Sequence, residues 1–141
     1  MAAETKIGVA GAIAACDAVV DLMDAGTGAG YIEIRTGAAP TGVDDASSGT
    51  LLATCVCSDP AFGGAVDATP GGIATASAIT DDSSADAGGT AAHFRGFDSN
   101  AVCRIQGTVG TSSADMIINN VTITIGAVVS ITSWTVTMPE S

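Results

Sequence analysis

The sequence has few aromatic and few basic residues. One Trp, one Tyr, three Phe and four Lys or Arg stand against fifteen Asp or Glu, and the formal net charge is −11. A surface this acidic repels phosphate backbones and anionic lipid headgroups. We therefore expect neither a nucleic acid nor a membrane surface as a partner.

Long apolar runs are also absent. No segment approaches the ~18 continuous apolar residues of a membrane-spanning helix. The first residues lack the basic stretch and apolar stretch of a secretory signal, so we expect synthesis in the cytoplasm, where thiols stay reduced. Cys16, Cys55, Cys57 and Cys103 are accordingly expected to be free, small apolar side chains of the core, with Cys55 and Cys57 on the same side of one strand.

What the sequence does contain is glycine and small or β-branched apolar residues, which favour short strands joined by tight turns. A helix is predicted only over residues 9–24. The apolar positions at helical spacing there are Val9, Ile13, Cys16, Val20 and Met23. Strands are predicted at 31–36, 51–58, 73–79, 91–97, 101–109 and within 116–138. Residues 1–141 are thus expected to form one mainly β domain, an antiparallel β-sandwich or jelly-roll-like fold with one N-terminal α-helix.

The clearest predicted pairing is the hairpin of 91–97 and 101–109 around an Asp-Ser-Asn turn. If Asp98 opposes Ala101, the core face carries Phe94, Gly96, Cys103 and Ile105. The opposite face then carries His93, Arg95, Arg104 and Gln106.

This register places Arg95 directly opposite Arg104, and like charges facing each other across strands are destabilising. Two interpretations remain open. An internal carboxylate such as Glu33 neutralises the pair, or the two arginines bind acidic residues of a partner subunit.

No catalytic site is predicted. His93 is the only histidine, the sequence offers it no distinctive orienting partner, and we expect it to be exposed on its strand. Trp134 is expected in the core, with a subunit interface as the alternative. The candidate interface residues are Arg95, Arg104, His93 and Trp134.

Two groups of residues contain side chains that can bind metal ions. Cys55, Cys57, Cys103 and His93 could supply zinc ligands, but a second cysteine pair is missing and the hairpin places Cys103 and His93 on opposite sides. Residues 81–86 are rich in oxygen ligands for calcium but lack the EF-hand pattern, so a flexible, solvated loop is expected there. We predict no cofactor and no metal.

Several segments together resemble a known family. They are 36–40 (TGAAP), 49–54 (GTLLAT), 59–63 (DPAFG), 72–76 (GIATA), 84–95 (SADAGGTAAHFR) and 129–139 (VSITSWTVTMP). In this order they resemble a family of short structural proteins of tailed bacteriophages and prophages. The resemblance implies a virion protein, and specifically a capsid decoration (cement) protein that binds the outer surface of the phage head and stabilises it. It further implies the major capsid protein as partner, a homo-oligomer such as a trimer, and a location on the capsid after a period in the host cytoplasm.

Two alternatives stay open. The chain could be a structural protein of the tail, the connector or a head fibre. A carbohydrate- or calcium-binding adhesion module belongs to a different class, although sugar sites commonly use exposed aromatic side chains and this chain has few.

Overall fold

The computed structural model describes residues 5–69 and 71–139 as a mainly β structure with a helix near its start. The elements are α1 (Val9–Val20), a 3-10 helix (Asp21–Asp24), β1 (Tyr31–Thr36), β2 (Leu51–Val56), β3 (Val66–Asp67), β4 (Gly71–Thr75), β5 (Gly89–Phe97), β6 (Cys103–Gly110), β7 (Met116–Ile118), β8 (Thr122–Ile123) and β9 (Ile131–Pro139). The predicted helix and the predicted mainly β class are confirmed.

The strands form one curled sheet in the order β2-β1-β5-β6-β7-β9-β4-β3, and β8 pairs with the beginning of β5. Neighbouring strands are antiparallel except β6 and β7, which are parallel. Curling brings Phe94 of β5 against Trp134 of β9, with ring centroids 5.2 Å apart. The core therefore lies between two parts of the same sheet, which gives the sandwich-like architecture expected from the sequence.

The helix packs on β4 and β9. Its buried positions are Ala12, Cys16 and Val20, so the buried stripe runs through Ala12, and Val9, expected in the stripe, is exposed. Close packing requires a glycine in β4, because a Cβ on Gly72 would lie 2.8 Å from the carbonyl oxygen of Ala12. Among the helices in the described part of the chain, none is long and apolar enough to cross a membrane.

Residues 80–86 bond to the outer edge of β2, and Asp81, Ser83, Ser84 and Asp86 are exposed, as expected for a solvated loop. One Asp82 carboxylate oxygen accepts the backbone N–H of Thr54 at 2.9 Å, and the other accepts a backbone N–H within the segment. The backbone N–H groups of Thr80 and Asp86 donate to β2 carbonyls on either side. Because an unpaired strand edge invites pairing with other chains, this cover protects the sheet.

The hairpin of β5 and β6 differs from the predicted register by two residues along most of its length. Arg95 pairs with Gln106, and an irregularity then places Phe97 opposite Cys103. The predicted opposition of Arg95 and Arg104 is therefore wrong. A shift by two residues preserves which face each β5 side chain occupies, since side chains alternate with a period of two. Phe94 thus still points into the core.

Candidate functional site

The outer face of the β5-β6 hairpin is covered by the loop of residues 37–49. His93 and Arg95 are only 2% and 1% exposed beneath it. The expectation of an exposed histidine is therefore wrong. The cause is a segment distant in the chain, which hydropathy along β5 alone does not reveal.

Three strand side chains hold this loop by hydrogen bonds to its backbone carbonyls. The bonds run from His93 Nδ1 to Gly37 at 2.7 Å, from Gln106 Nε2 to Pro40 at 2.8 Å and from Arg95 Nη2 to Val43 at 2.6 Å. Because a carbonyl oxygen can only accept, His93 Nδ1 carries a proton and donates this bond. His93 Nε2, Arg95 Nη1 and Gln106 Oε1 are buried and have no hydrogen-bond partner among the described residues.

Arg95 is the most unusual of these groups because it is a buried cation. Its Nε donates to the Cys103 sulfur at 3.3 Å, and its guanidinium carbon lies 5.7 Å from the centre of the Phe97 ring. Within residues 5–69 and 71–139, no Asp or Glu lies within ion-pair distance of it. The contact also shows that Cys103 faces Arg95, so its predicted place on the Phe94 face is wrong. The local irregularity of the hairpin is the cause.

Arg104, by contrast, pairs with a carboxylate of the same chain. Its Nε lies 2.8 Å from Oδ2 of the fully buried Asp98. Burial by itself would raise the Asp98 pKa, but hydrogen bonds from Val102, Arg104 and Asn100 outweigh burial and lower it. An internal acid thus neutralises Arg104, whereas one interpretation expected an internal acid to neutralise Arg95 and Arg104 together.

The sequence suggested Glu33, not Asp98, as the neutralising acid. The Glu33 carboxylate pairs with Arg35 at 2.9 Å, although Glu33 stands opposite Arg95 across the strands. The Asp-Ser-Asn sequence predicts a turn but does not by itself indicate a buried acid. A turn aspartate that accepts N–H groups further along the chain is the signal that could have identified Asp98.

Trp134 lies in the core, 2% exposed, with edge-to-face contacts to Phe62 and Phe94. The core interpretation is confirmed. Of the four candidate interface residues, His93, Arg95 and Trp134 are buried, and the Arg104 side chain is 29% exposed.

All four cysteines are free thiols. Cys16, Cys55 and Cys57 are buried as expected, whereas Cys103 is half-buried. Burial raises the pKa of Cys55 to about 11 and that of Cys57 to about 12. Throughout 5–69 and 71–139, no three His, Cys, Asp or Glu side chains are grouped so as to hold a metal ion.

A cleft of about 350 Å³ opens beside Arg95. The cleft is lined by residues 43–47 of the covering loop and by residues 101–103, at the end of the hairpin turn and the start of β6, together with Arg95 and Phe97. No sequence pattern indicates this cleft, because its two walls lie more than fifty residues apart in the chain.

The turn before β9 exposes two large apolar side chains. Ala127 N–H donates to the Thr124 carbonyl at 2.9 Å, and Gly126 has φ +83°, which places Ile125 at the apex of the turn. Ile125 is 68% exposed and Val128 is 52% exposed. We refer to these two side chains as the apolar tip.

Comparison with known proteins identifies no relative. No family model matches this chain, and neither a curated protein nor a solved structure matches it.

Proposed function

We propose that this protein is a capsid decoration protein of a tailed bacteriophage, which binds the outer surface of the head through its major capsid protein and stabilises the shell. The resemblance of the ordered sequence segments suggests this class of protein. The structural observation that supports binding to a partner is the apolar tip, Ile125 and Val128 on an otherwise strongly acidic chain.

The apolar tip favours association for a simple reason. Burial of apolar surface gains about 25 cal/mol per Å², and the central part of a protein interface is depleted of charge. Turn positions usually carry polar residues, so an isoleucine at the apex gains free energy only when something covers it. Mutual repulsion of chains with a net charge of −11 keeps the unbound protein soluble.

Binding would stabilise the head by mass action, because a ligand that binds only the assembled shell raises the free energy of its disruption. The test uses phage heads assembled without the protein and then incubated with the purified chain. We expect co-sedimentation at a copy number comparable to that of the major capsid protein, and a higher temperature of head disruption. Light scattering on the same purified sample tests the expected trimer.

Two variants make this test specific for the apolar tip. Ile125→Asp should abolish head binding. Val66→Asp introduces the same charge at an exposed valine outside the apolar tip and should leave binding intact. Binding to tails or connectors instead of heads would move the protein to the alternative virion role. Heads that neither bind the chain nor gain heat resistance would refute the proposal.

A further inference from the structure

The sheet has a gap between β6 and β9. At one end of these strands β7 lies between them, because Met116 pairs with both Val109 of β6 and Trp134 of β9. Neighbouring strands are about 4.8 Å apart, so β6 and β9 are about 10 Å apart at this level. Beyond it, residues 103–108 pair only with β5 and residues 135–139 pair only with β4 among the described residues. This leaves a position for one further strand, which we call the strand gap.

On the β9 side of the strand gap, two residues present free backbone groups. The Trp134 carbonyl accepts the Ala76 N–H at 2.9 Å, so the backbone of Trp134 faces β4. Backbone groups of successive strand residues point to opposite edges, and those of Thr135 and Thr137 therefore face the gap. No other described residue forms a hydrogen bond with them there.

On the β6 side, Gln106 presents its backbone in the same way. The Thr108 N–H donates to the Asp115 carboxylate at 2.8 Å, which shows that the backbone of Thr108 faces away from β5. Gln106 stands two positions earlier and faces the same edge, where no described residue bonds to its backbone. Two strand edges with unpaired donors and acceptors thus face one gap, and such edges are templates for pairing with another chain.

A cleft of about 220 Å³ lies in the strand gap. Its apolar floor consists of Phe94, Trp134, Ile105 and Val136, of which the first two are buried and the last two half-buried. Sites for small molecules commonly measure about 300–1,000 Å³. The small volume and the two free edges together favour an extended peptide over a compact ligand.

We propose that the strand gap binds an extended segment of a partner protein, which pairs with β6 and β9 as an additional strand in line with β7. The main-chain groups of this segment bond to those of Gln106, Thr135 and Thr137, and its inward side chains pack on the apolar floor, as in β-strand addition. The binding does not depend on the proposed capsid role.

Charge determines which segment fits. Asp115 lines the cleft, and the chain as a whole has a net charge of −11. A second copy would bring another strongly acidic chain against this edge, which repulsion disfavours. We therefore expect a neutral or basic segment of a different protein, with apolar residues alternating with polar ones and without proline.

The probe is the peptide acetyl-Thr-Val-Thr-Val-Thr-Lys-amide, in which apolar and polar residues alternate. The first control carries N-methyl groups on both valines, which keeps the side chains but removes the donors along one edge. The second control replaces the lysine by glutamate. Binding is followed by NMR, as saturable shifts and as hydrogen exchange of the backbone amides of Gln106, Thr135 and Thr137.

In the free protein, these three amides should exchange faster than the Val136 amide, whose backbone faces β4. The probe should slow their exchange at least about tenfold and should bind at least about tenfold more tightly than the N-methylated peptide. The glutamate peptide should bind more weakly than the probe. Slow exchange of the three amides in the free protein, no saturable binding of the probe, or equal binding of the N-methylated peptide would overturn the proposal.

A pair of variants locates the binding. Ile105 and Ile79 are both half-buried and pack against the core, but of the two only Ile105 lines the strand gap. Ile105→Ala should weaken binding of the probe several-fold, whereas Ile79→Ala should retain it. Equal affinities of the two variants would contradict binding at the gap, and the peptide comparison on the wild type decides if Ile105→Ala does not fold. If the probe instead dissociates an oligomer of the purified protein, a second copy fills the gap and the proposal is wrong.

Discussion

Asp98 organises the turn of the β5-β6 hairpin, and its replacement by alanine tests that role directly. The fully buried carboxylate accepts the N–H groups of Asn100 at 2.8 Å and Val102 at 3.1 Å, and it pairs with Arg104. Asp98→Ala leaves two backbone donors and one cation without this acceptor. The turn also holds Ala101 at φ +62°, a conformation that these bonds help to maintain.

The expected cost follows from these three interactions. Each hydrogen bond contributes about 1 kcal/mol, and the part-exposed Arg104 regains some of its share from water, so the total loss is about 2 to 3 kcal/mol. In a domain of this size each kcal/mol lowers the melting temperature by about 3 °C, which predicts a decrease of about 6 to 9 °C.

The loss should depend on pH in a defined direction. The pKa of Asp98 is lower in the folded protein, despite burial, because of its hydrogen bonds and the Arg104 charge. A lowered carboxyl pKa stabilises the fold above the unfolded value of about 3.9, and this contribution disappears as the pH falls through the folded pKa. The difference between wild type and Asp98→Ala should therefore be complete at neutral pH and shrink in acid.

Thermal and urea unfolding followed by circular dichroism measure both effects. Asp81→Ala removes an exposed carboxylate and serves as the matched control, with a change within about 0.5 kcal/mol. The reasoning fails if Asp98→Ala and Asp81→Ala are equally stable at neutral pH, or if acid leaves their difference unchanged.

Two further predictions concern the core. Gly72→Ala should cost about 1–3 kcal/mol in urea unfolding, because the new Cβ would lie against the backbone of α1, whereas Gly64→Ala meets nothing within 4 Å and should be neutral. In the native protein at mildly alkaline pH, Ellman's reagent should label the half-buried Cys103 first. Cys55 and Cys57 should react only on unfolding, since burial raises their pKa to about 11 and about 12 and leaves little thiolate. Labelling of Cys57 as fast as Cys103 would contradict that burial.

The sequence predicted features that depend on neighbouring residues. Alternation identified β1, whose Ile32 and Ile34 are buried, and helical spacing identified α1. The hairpin was located correctly, but its register was not, because the Asp98 hydrogen bonds lengthen the turn beyond the three residues assumed. Small errors at a turn shift the pairing of every residue that follows.

The sequence by itself thus determined a mainly β chain with one N-terminal helix, a strongly acidic character and a core of small apolar residues that includes buried thiols. Only the tertiary structure determined that the polar face of the hairpin is buried. His93, Arg95 and Gln106 bond to carbonyls of residues 37–43 that lie 52 to 66 positions away in the chain. Chain closure over such distances depends on how the curled sheet packs as a whole, and no local pattern encodes it. The same packing buries Arg95 without an ion pair to any described residue and opens the cleft beside it.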